Sequence, residues 1–338
     1  MGKTTTAVVM AVYWLLPPGA AMAATETQSL AVDLTAAGAS QYNIDHTERG
    51  IRLSPQARED AGEGTEHQGF YVTAALGTQT PMRHVRPIML ARTPPGSDVM
   101  LELRGQTASS RWTEWREAVP ESPEVVLPAS AVRLQARITL VQRGPGQGPE
   151  VLGLRLQAPD PHPPHDEART GPPAQKGEPV TPPVTTRVFA TRIGQIGDRT
   201  ANGHRIGSAD RFVALPSRRA LNANTYDRSY EVKICYPVTN RCVTAPIWDV
   251  GPWNIRDDYW NEGPVRQMWA DLPKGTPQAQ AAYIARYNKG RDDRSRRVRN
   301  PAGIDLADEL YWEDLGMTTN DWVMVTYLWT GDDMESVK

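Results

Sequence analysis

One carboxylate stands out for its surroundings. In "APIWDVGPWN", residues 245–254, Asp249 ends an apolar run, precedes a Gly-Pro turn and lies between Trp248 and Trp253. A carboxyl buried among apolar rings keeps its proton to higher pH and can then act as a general acid. Indole faces also match the apolar C–H faces of pyranose rings. Cleavage of a glycosidic bond needs such a proton for the leaving oxygen and stabilisation of an oxocarbenium-like centre. The competing reading is that Asp249 accepts the N–H bonds of the turn. A second acid, Asp305, opens "IDLADELYWEDLG", which reads as a short helix with Leu306, Leu310 and Leu315 inward and Gly316 as its stop. An aspartate there can cap free N–H groups, worth about 1 kcal/mol, and those bonds would lower its pKa.

These acids need elements to hold them. The only cysteines, Cys235 and Cys242, lie in "KICYPVTNRCVTAPIWD", flanked by apolar and β-branched residues with Pro237 and Asn240 between. That pattern is a hairpin closed by a disulfide, which fixes the strand leading to Asp249. No nearby His or Cys completes a metal site, and no cofactor is expected. Between the two acids, "GTPQAQAAYIARYNKG" signals a helix, with Thr276 as N-cap, Pro277 in the first turn, Gly290 as terminator and Tyr283, Ile284 and Tyr287 as its apolar stripe. Seven of the ten tryptophans fall after residue 186, so the insertion is expected either to wall a groove or to cover a barrel face. The charge run "KGRDDRSRRVRN" reads as a solvated loop.

Upstream, "AVRLQARITLVQ" alternates with period two, placing Val132, Leu134, Ala136, Ile138 and Leu140 on one face. "EVLGLRLQ" and "DVMLELRG" do the same, the former less strictly. Short strands separated by Pro and Gly predict an antiparallel β-sandwich over 27–157. Its "SSRWTEWREA" carries Trp112 and Trp115, one expected in the core and the other at a sheet edge; a sugar-stacking face is the alternative. The segment 158–185 is a proline-rich linker, and its His162 and His165 read as spacers rather than ligands.

The order of landmarks in the second domain, 186–338, resembles the double-psi β-barrel of rare lipoprotein A and the expansins. A first strand with a Gly loop ("ATRIGQIGD") leads to "TANG" and to a strand ending in Leu-Pro ("FVALPS"). A paired hairpin, an Asp-x-Gly-Pro turn and an Ile-Asp-Leu segment before Leu-Gly follow in turn. The resemblance implies a mainly β, six-stranded barrel with a helical insertion and a groove passing Asp249 and Asp305. It implies that Asp305 is the acid on which activity depends most, and that the ligand is a polysaccharide such as peptidoglycan. Trp248, Trp253 and Trp312 would wall the site. The activity implied is a lytic transglycosylase, or a non-catalytic, expansin-like binding or loosening of the wall.

Two departures bear on that expectation. Rare lipoprotein A carries a histidine before Leu-Pro, where this chain has "SADRFVALPS". Related endoglucanases have an acid after the first strand, where this chain has Gln195, with Asp198 further along the loop and expected to contact the ligand with the three tryptophans. The residues 1–23 read as a secretory signal, with a basic start, an apolar core and "AMA" at 21–23. Export to the periplasm, wall or medium is therefore expected, without a membrane anchor and as a monomer. A net charge of −2 gives no basic field for nucleic acid.

Overall fold

The computed structural model describes residues 28–55, 66–120, 122–144, 146–159 and 181–331. The expected signal segment 1–23 and most of the expected linker 158–185, including His162 and His165, lie outside the described residues. The chain is mainly β, with a large N-terminal sheet and a closed six-stranded barrel.

Ten antiparallel strands make the first part: β1 (Ser29–Val32), β2 (Ser40–Tyr42), β3 (Ile44–His46), β4 (Ile51–Leu53), β5 (Glu66–Val72), β6 (Leu76–Arg92), β7 (Ser97–Gln106), β8 (Arg116–Ala118), β9 (Val125–Arg143) and β10 (Glu150–Gln157). The long β6 pairs with β9 along its first half and with β10 along its second, so one strand carries the sheet round a corner. Ile51, Leu103, Leu134 and Leu156 fill the space enclosed. The loose alternation of "EVLGLRLQ" has a cause: the ladder between β10 and β6 slips between Val151 and Gly153, and the slip brings Val151, Leu154 and Leu156 to the core.

Strand β9 follows the expected period for Leu134, Ala136, Ile138 and Leu140, all fully buried, while Val132 is only half-buried. Its other face is not open to solvent. Gln135, Arg137 and Thr139 are buried too, because the barrel packs against them.

The barrel comprises β11 (Val184–Arg192), β12 (Val213–Leu215), β13 (Glu231–Tyr236), β14 (Arg241–Val250), β15 (Ala302–Leu306) and β16 (Asp321–Tyr327). They close in the order β11-β15-β12-β14-β13-β16. The pairs β11·β15 and β12·β14 are parallel and the rest antiparallel. Val188, Val213, Ile234, Ile247, Ile304 and Val325 meet in the core. Cys235 and Cys242 face each other across the β13–β14 ladder and form the disulfide.

The insertion between β14 and β15 holds one α-helix, α1 (Gln278–Ala285), followed by a 3-10 turn, Tyr287–Gly290. Pro277, not Thr276, is its N-cap, and Arg286 in the left-handed conformation ends it before Gly290. The expected aromatic stripe is not the buried face. Tyr283 and Ile284 are 52% and 64% exposed, and Ala279 and Ala282 pack instead on Val298 and Trp253. Close approach selects small residues here: a Cβ on Gly303 of β15 would lie 2.5 Å from Pro277 Cγ.

The two parts share a buried seam. Trp115 is fully buried, and its indole N–H donates to the Leu221 carbonyl at 3.1 Å. Its place is therefore between sheet and barrel rather than inside the sheet. Arg104 lies 4.4 Å and 4.5 Å from the Trp112 and Trp115 ring centroids and pairs with Asp227 of the barrel at 3.0 Å. Glu102 accepts two bonds of 2.7 Å from Arg137 and two of 3.2 Å from Arg218. Burial alone would raise the Glu102 pKa, but the two guanidiniums outweigh it and hold the carboxyl at about 2. Glu114 accepts the indole N–H groups of Trp260 and Trp329. Two of the seven tryptophans of the second part, Trp260 and Trp329, are thus placed at this seam.

Candidate active site

Asp249 and Asp305 are 56 residues apart in sequence and are brought together by one register. In the three adjacent strands β15, β12 and β14, Ala214 is opposite Asp305 on one side and Asp249 on the other. Residues directly opposite in a ladder project to the same face. Two strand spacings put their Cα atoms about 10 Å apart, with Ala214 between them.

Their orientation depends on two local irregularities. Ala245 and Ile247 of β14 point into the barrel core, and strict alternation would send Asp249 in after them. The parallel ladder slips at Trp248, between the pairs Val213↔Ile247 and Ala214↔Asp249. The extra residue reverses the phase and turns Asp249 outward. A matching slip at Gly303 in the β11·β15 ladder, between Phe189↔Ala302 and Ala190↔Ile304, precedes Asp305. Each parallel ladder therefore carries one bulge just before its aspartate.

Both acids line one furrow of about 550 Å³. Asp305 takes a hydrogen bond from Thr191 Oγ1 on the neighbouring strand. Burial pushes its pKa up to about 7; the Thr191 bond opposes that shift and the nearby charge of Asp249 adds to it. Asp305 belongs to β15 and does not cap the helical segment at 308–314. Asp249 is also shifted upward by burial, against N–H bonds from Val250 and Ala201, the latter 2.8 Å. It thus accepts backbone N–H groups and opens onto the furrow as well. Gly251, two residues on, lies beside Asp305: a Cβ there would be in ordinary contact with Asp305 Oδ2, at 3.7 Å.

Of the expected aromatic walls, Trp253 lines the furrow, its indole N–H held by Asn300 Oδ1 at 2.8 Å. Trp248 does not. As the bulge residue it is 8% exposed and stacks on Phe212 at 5.4 Å, with the His204 ring edge-on at 4.9 Å. Trp312 is 48% exposed outside the furrow and carries the Arg192 guanidinium 4.5 Å from its centroid. Asp198 is exposed on the loop after β11, whereas Gln195 of the same loop lines the furrow. His204 pairs with Asp210 at 2.6 Å and lies away from the two acids.

Several furrow residues escaped the sequence reading. Thr191 belongs to the "ATRIGQIGD" segment, of which only Gln195 and Asp198 were singled out. Arg294, Arg296 and Asn300 come from the charge run taken for a solvated loop. That run is anchored by polar bonds: Asp293 N–H donates to Asn254 Oδ1, Ile255 N–H to Asp293 Oδ2, and Gln278 Nε2 to the Arg291 carbonyl. Asn254 in turn donates to Gln278 Oε1 at 2.8 Å. The insertion therefore walls the furrow through this loop, while α1 braces it from behind. Among the described residues there is no group of three or more His, Cys, Asp or Glu side chains that could hold a metal ion.

A family model described as "Domain of unknown function (DUF8814)" matches residues 184–326. The match covers the barrel. It begins at the first residue of β11 and stops one residue short of the end of β16. The insertion and both aspartates fall inside it, and the N-terminal sheet lies outside. No curated protein and no solved structure matches the chain.

Proposed function

We propose that the protein is an exported, wall-directed polysaccharide enzyme that cleaves glycan strands, of the peptidoglycan kind, without water as nucleophile. The observation that carries this is Asp305: a carboxyl poised to hold its proton near neutrality, facing the same furrow as a second carboxylate. The closing order of the six strands, with its two parallel pairs, supports a double-psi barrel like that of rare lipoprotein A and the expansins. The curled N-terminal sheet supports a sandwich module. On this reading the protein works as a monomer and takes no cofactor or nucleic acid.

The proton inventory is simple. Asp305 gives its proton to the glycosidic oxygen as the bond from the anomeric carbon breaks. The Asp249 carboxylate stabilises the positive charge that builds on the ring. A hydroxyl of the same sugar then attacks the anomeric carbon, and its proton passes to the Asp305 carboxylate. The acid is regenerated, and neither water nor a second general base is consumed. This route fits a furrow in which Gln195 stands where related endoglucanases place an acid.

Purified protein incubated with peptidoglycan sacculi should release anhydro-muropeptides, and Asp305→Asn should lower that release by about 10²–10⁴-fold. Sacculi that are bound without release would move the assignment to an expansin-like, non-catalytic role. Absence of both binding and release would overturn the glycan reading.

A further inference from the structure

The furrow does not end at Asp249. Asp249, Val250, Ile255 and Arg294 also line a second hollow of about 840 Å³. The far wall of that hollow belongs to the N-terminal sheet, with Gln68 and Phe70 of β5, Met100 of β7 and Val141 of β9. The near wall is the barrel segment Arg199–Ala201, which also supplies the N–H bond to Asp249. The two hollows adjoin at these shared residues, with Asp249 at their junction and Asp305 in the first. The second half of this trench exists only because sheet and barrel are locked along the seam.

Side-chain pairing along this trench leaves spare guanidinium donors at defined places, in a hollow that the carboxylates of Asp98, Asp249 and Asp293 line as well. Arg143 is engaged by Glu66 at 2.9 Å, Arg256 by Glu117 at 3.0 Å, and Arg218 by Glu102. In the furrow, Arg192 is held by Asp308 and Arg296 by Asp292. Arg294 lines both hollows and has no side-chain partner among the described residues, while its backbone is pinned by a 3.0 Å bond to Asp292 Oδ1. Arg199 packs its guanidinium 4.7 Å from the Tyr42 centroid and gives one bond to the Gly203 carbonyl, which leaves further N–H donors. Two guanidiniums with spare donors therefore flank the trench beyond Asp249.

We infer that the N-terminal sheet and the barrel together form an extended binding trench for a glycan that carries carboxylates, with Arg294 and Arg199 as the carboxylate-recognising residues on the sheet side of the aspartates. Guanidinium is suited to this because its fork of donors meets a carboxylate with two parallel bonds. The specificity this adds is for acidic over neutral chains of equal length, and for chains long enough to span both hollows. The inference rests on the glycan reading above and assigns the ligand's charge and the part of the molecule that reads it.

The test uses the full chain carrying Asp305→Asn, so that binding is measured without cleavage. The probes are peptide-free peptidoglycan glycan strands of six sugars, which bear a lactyl carboxylate on alternate rings, and chitohexaose, which has the same linkage and none. Calorimetry should give at least tenfold tighter binding of the carboxylated strand. Arg294→Ala should remove most of that preference, and Arg294→Lys should restore it only partly. Met100→Trp, which fills the second hollow from the sheet side, should bring six-sugar strands down to the affinity of two-sugar ones. Equal affinity for the two hexamers, unchanged by Arg294→Ala and Met100→Trp, would overturn the inference while leaving the glycan reading standing. Failure of either hexamer to bind, together with intact sacculi in the release assay, would overturn both.

Discussion

At the scale of single residues, the account turns on a proton. Asp305 titrates higher in the folded chain than the ordinary 3.8 of a free aspartate, at about 7. Between those values the folded state binds more protons than the unfolded one. Stability contributed by this group is therefore greatest in acid and is lost as pH rises from about 4 to about 7. Asp305→Asn should raise folding stability at pH 8 by on the order of 2–4 kcal/mol, measured by urea denaturation, while it lowers the proposed glycan release. A gain in stability coupled to a loss of function is what a strained active-site acid gives; no change in stability would mean that the carboxyl is well solvated. Activity itself should fall above about pH 7 as Asp305 loses its proton. Thr191→Val removes a bond that favours the ionised form, so the alkaline limb of the pH–rate profile should shift upward. Glu102 has the opposite sign. Its folded pKa of about 2 lies below the ordinary 4.5, so its contribution is present above about 4.5 and is lost as pH falls toward 2.

At the scale of elements, the hairpin and the bulges do the positioning. The cystine closes a loop of eight residues, Cys235–Cys242, for which the chain-entropy estimate is about 2–3 kcal/mol. Cys235→Ser with Cys242→Ser should lower stability by that amount in thermal denaturation. The hairpin was legible in the sequence because its cysteines, turn residues and alternation all agree. The bulge at Trp248 was not. "APIWDV" reads as a strand with an acid on its core-facing phase, and nothing in the letters shows that the ladder to β12 slips by one residue. The helix α1 was legible in existence and approximate place, but its buried face was not. Aromatic residues look like the natural stripe, whereas the face that packs on Val298 and Trp253 carries Ala279 and Ala282. The arginine loop was misread for a related reason. A charge run shows its surplus of cations in the sequence, but its anchors, Asn254 and Gln278, are distant in the chain.

At the scale of the whole molecule, the two parts are joined by a seam that is polar and largely buried. Alternation in β9 signals a core face and a polar face; it does not distinguish water from another module on the polar side. Arg137, buried and paired, is where that ambiguity is resolved. Glu102→Ala leaves Arg137 and Arg218 without their carboxylate. It should cost about 3–5 kcal/mol, the usual penalty for stranding a buried charge, with sheet and barrel still unfolding in a single calorimetric transition. Two separated transitions in the unmodified protein would show that the seam does not couple the parts. Gly203 contributes at the same interface. It adopts φ +86°, and a Cβ there would lie 3.1 Å from both Phe70 and Tyr42. The "TANG" turn thus fits against the N-terminal sheet beside the trench.

The central claim is that Asp305 keeps a proton near neutral pH because it is buried beside Asp249 in one furrow. Carbon-detected NMR titration of the aspartate side-chain carboxyls, in the unmodified protein and in Asp249→Asn, tests it directly. The account predicts an Asp305 midpoint near pH 7 that moves to lower pH when Asp249 loses its charge. A midpoint near 4, indifferent to Asp249→Asn, would contradict it.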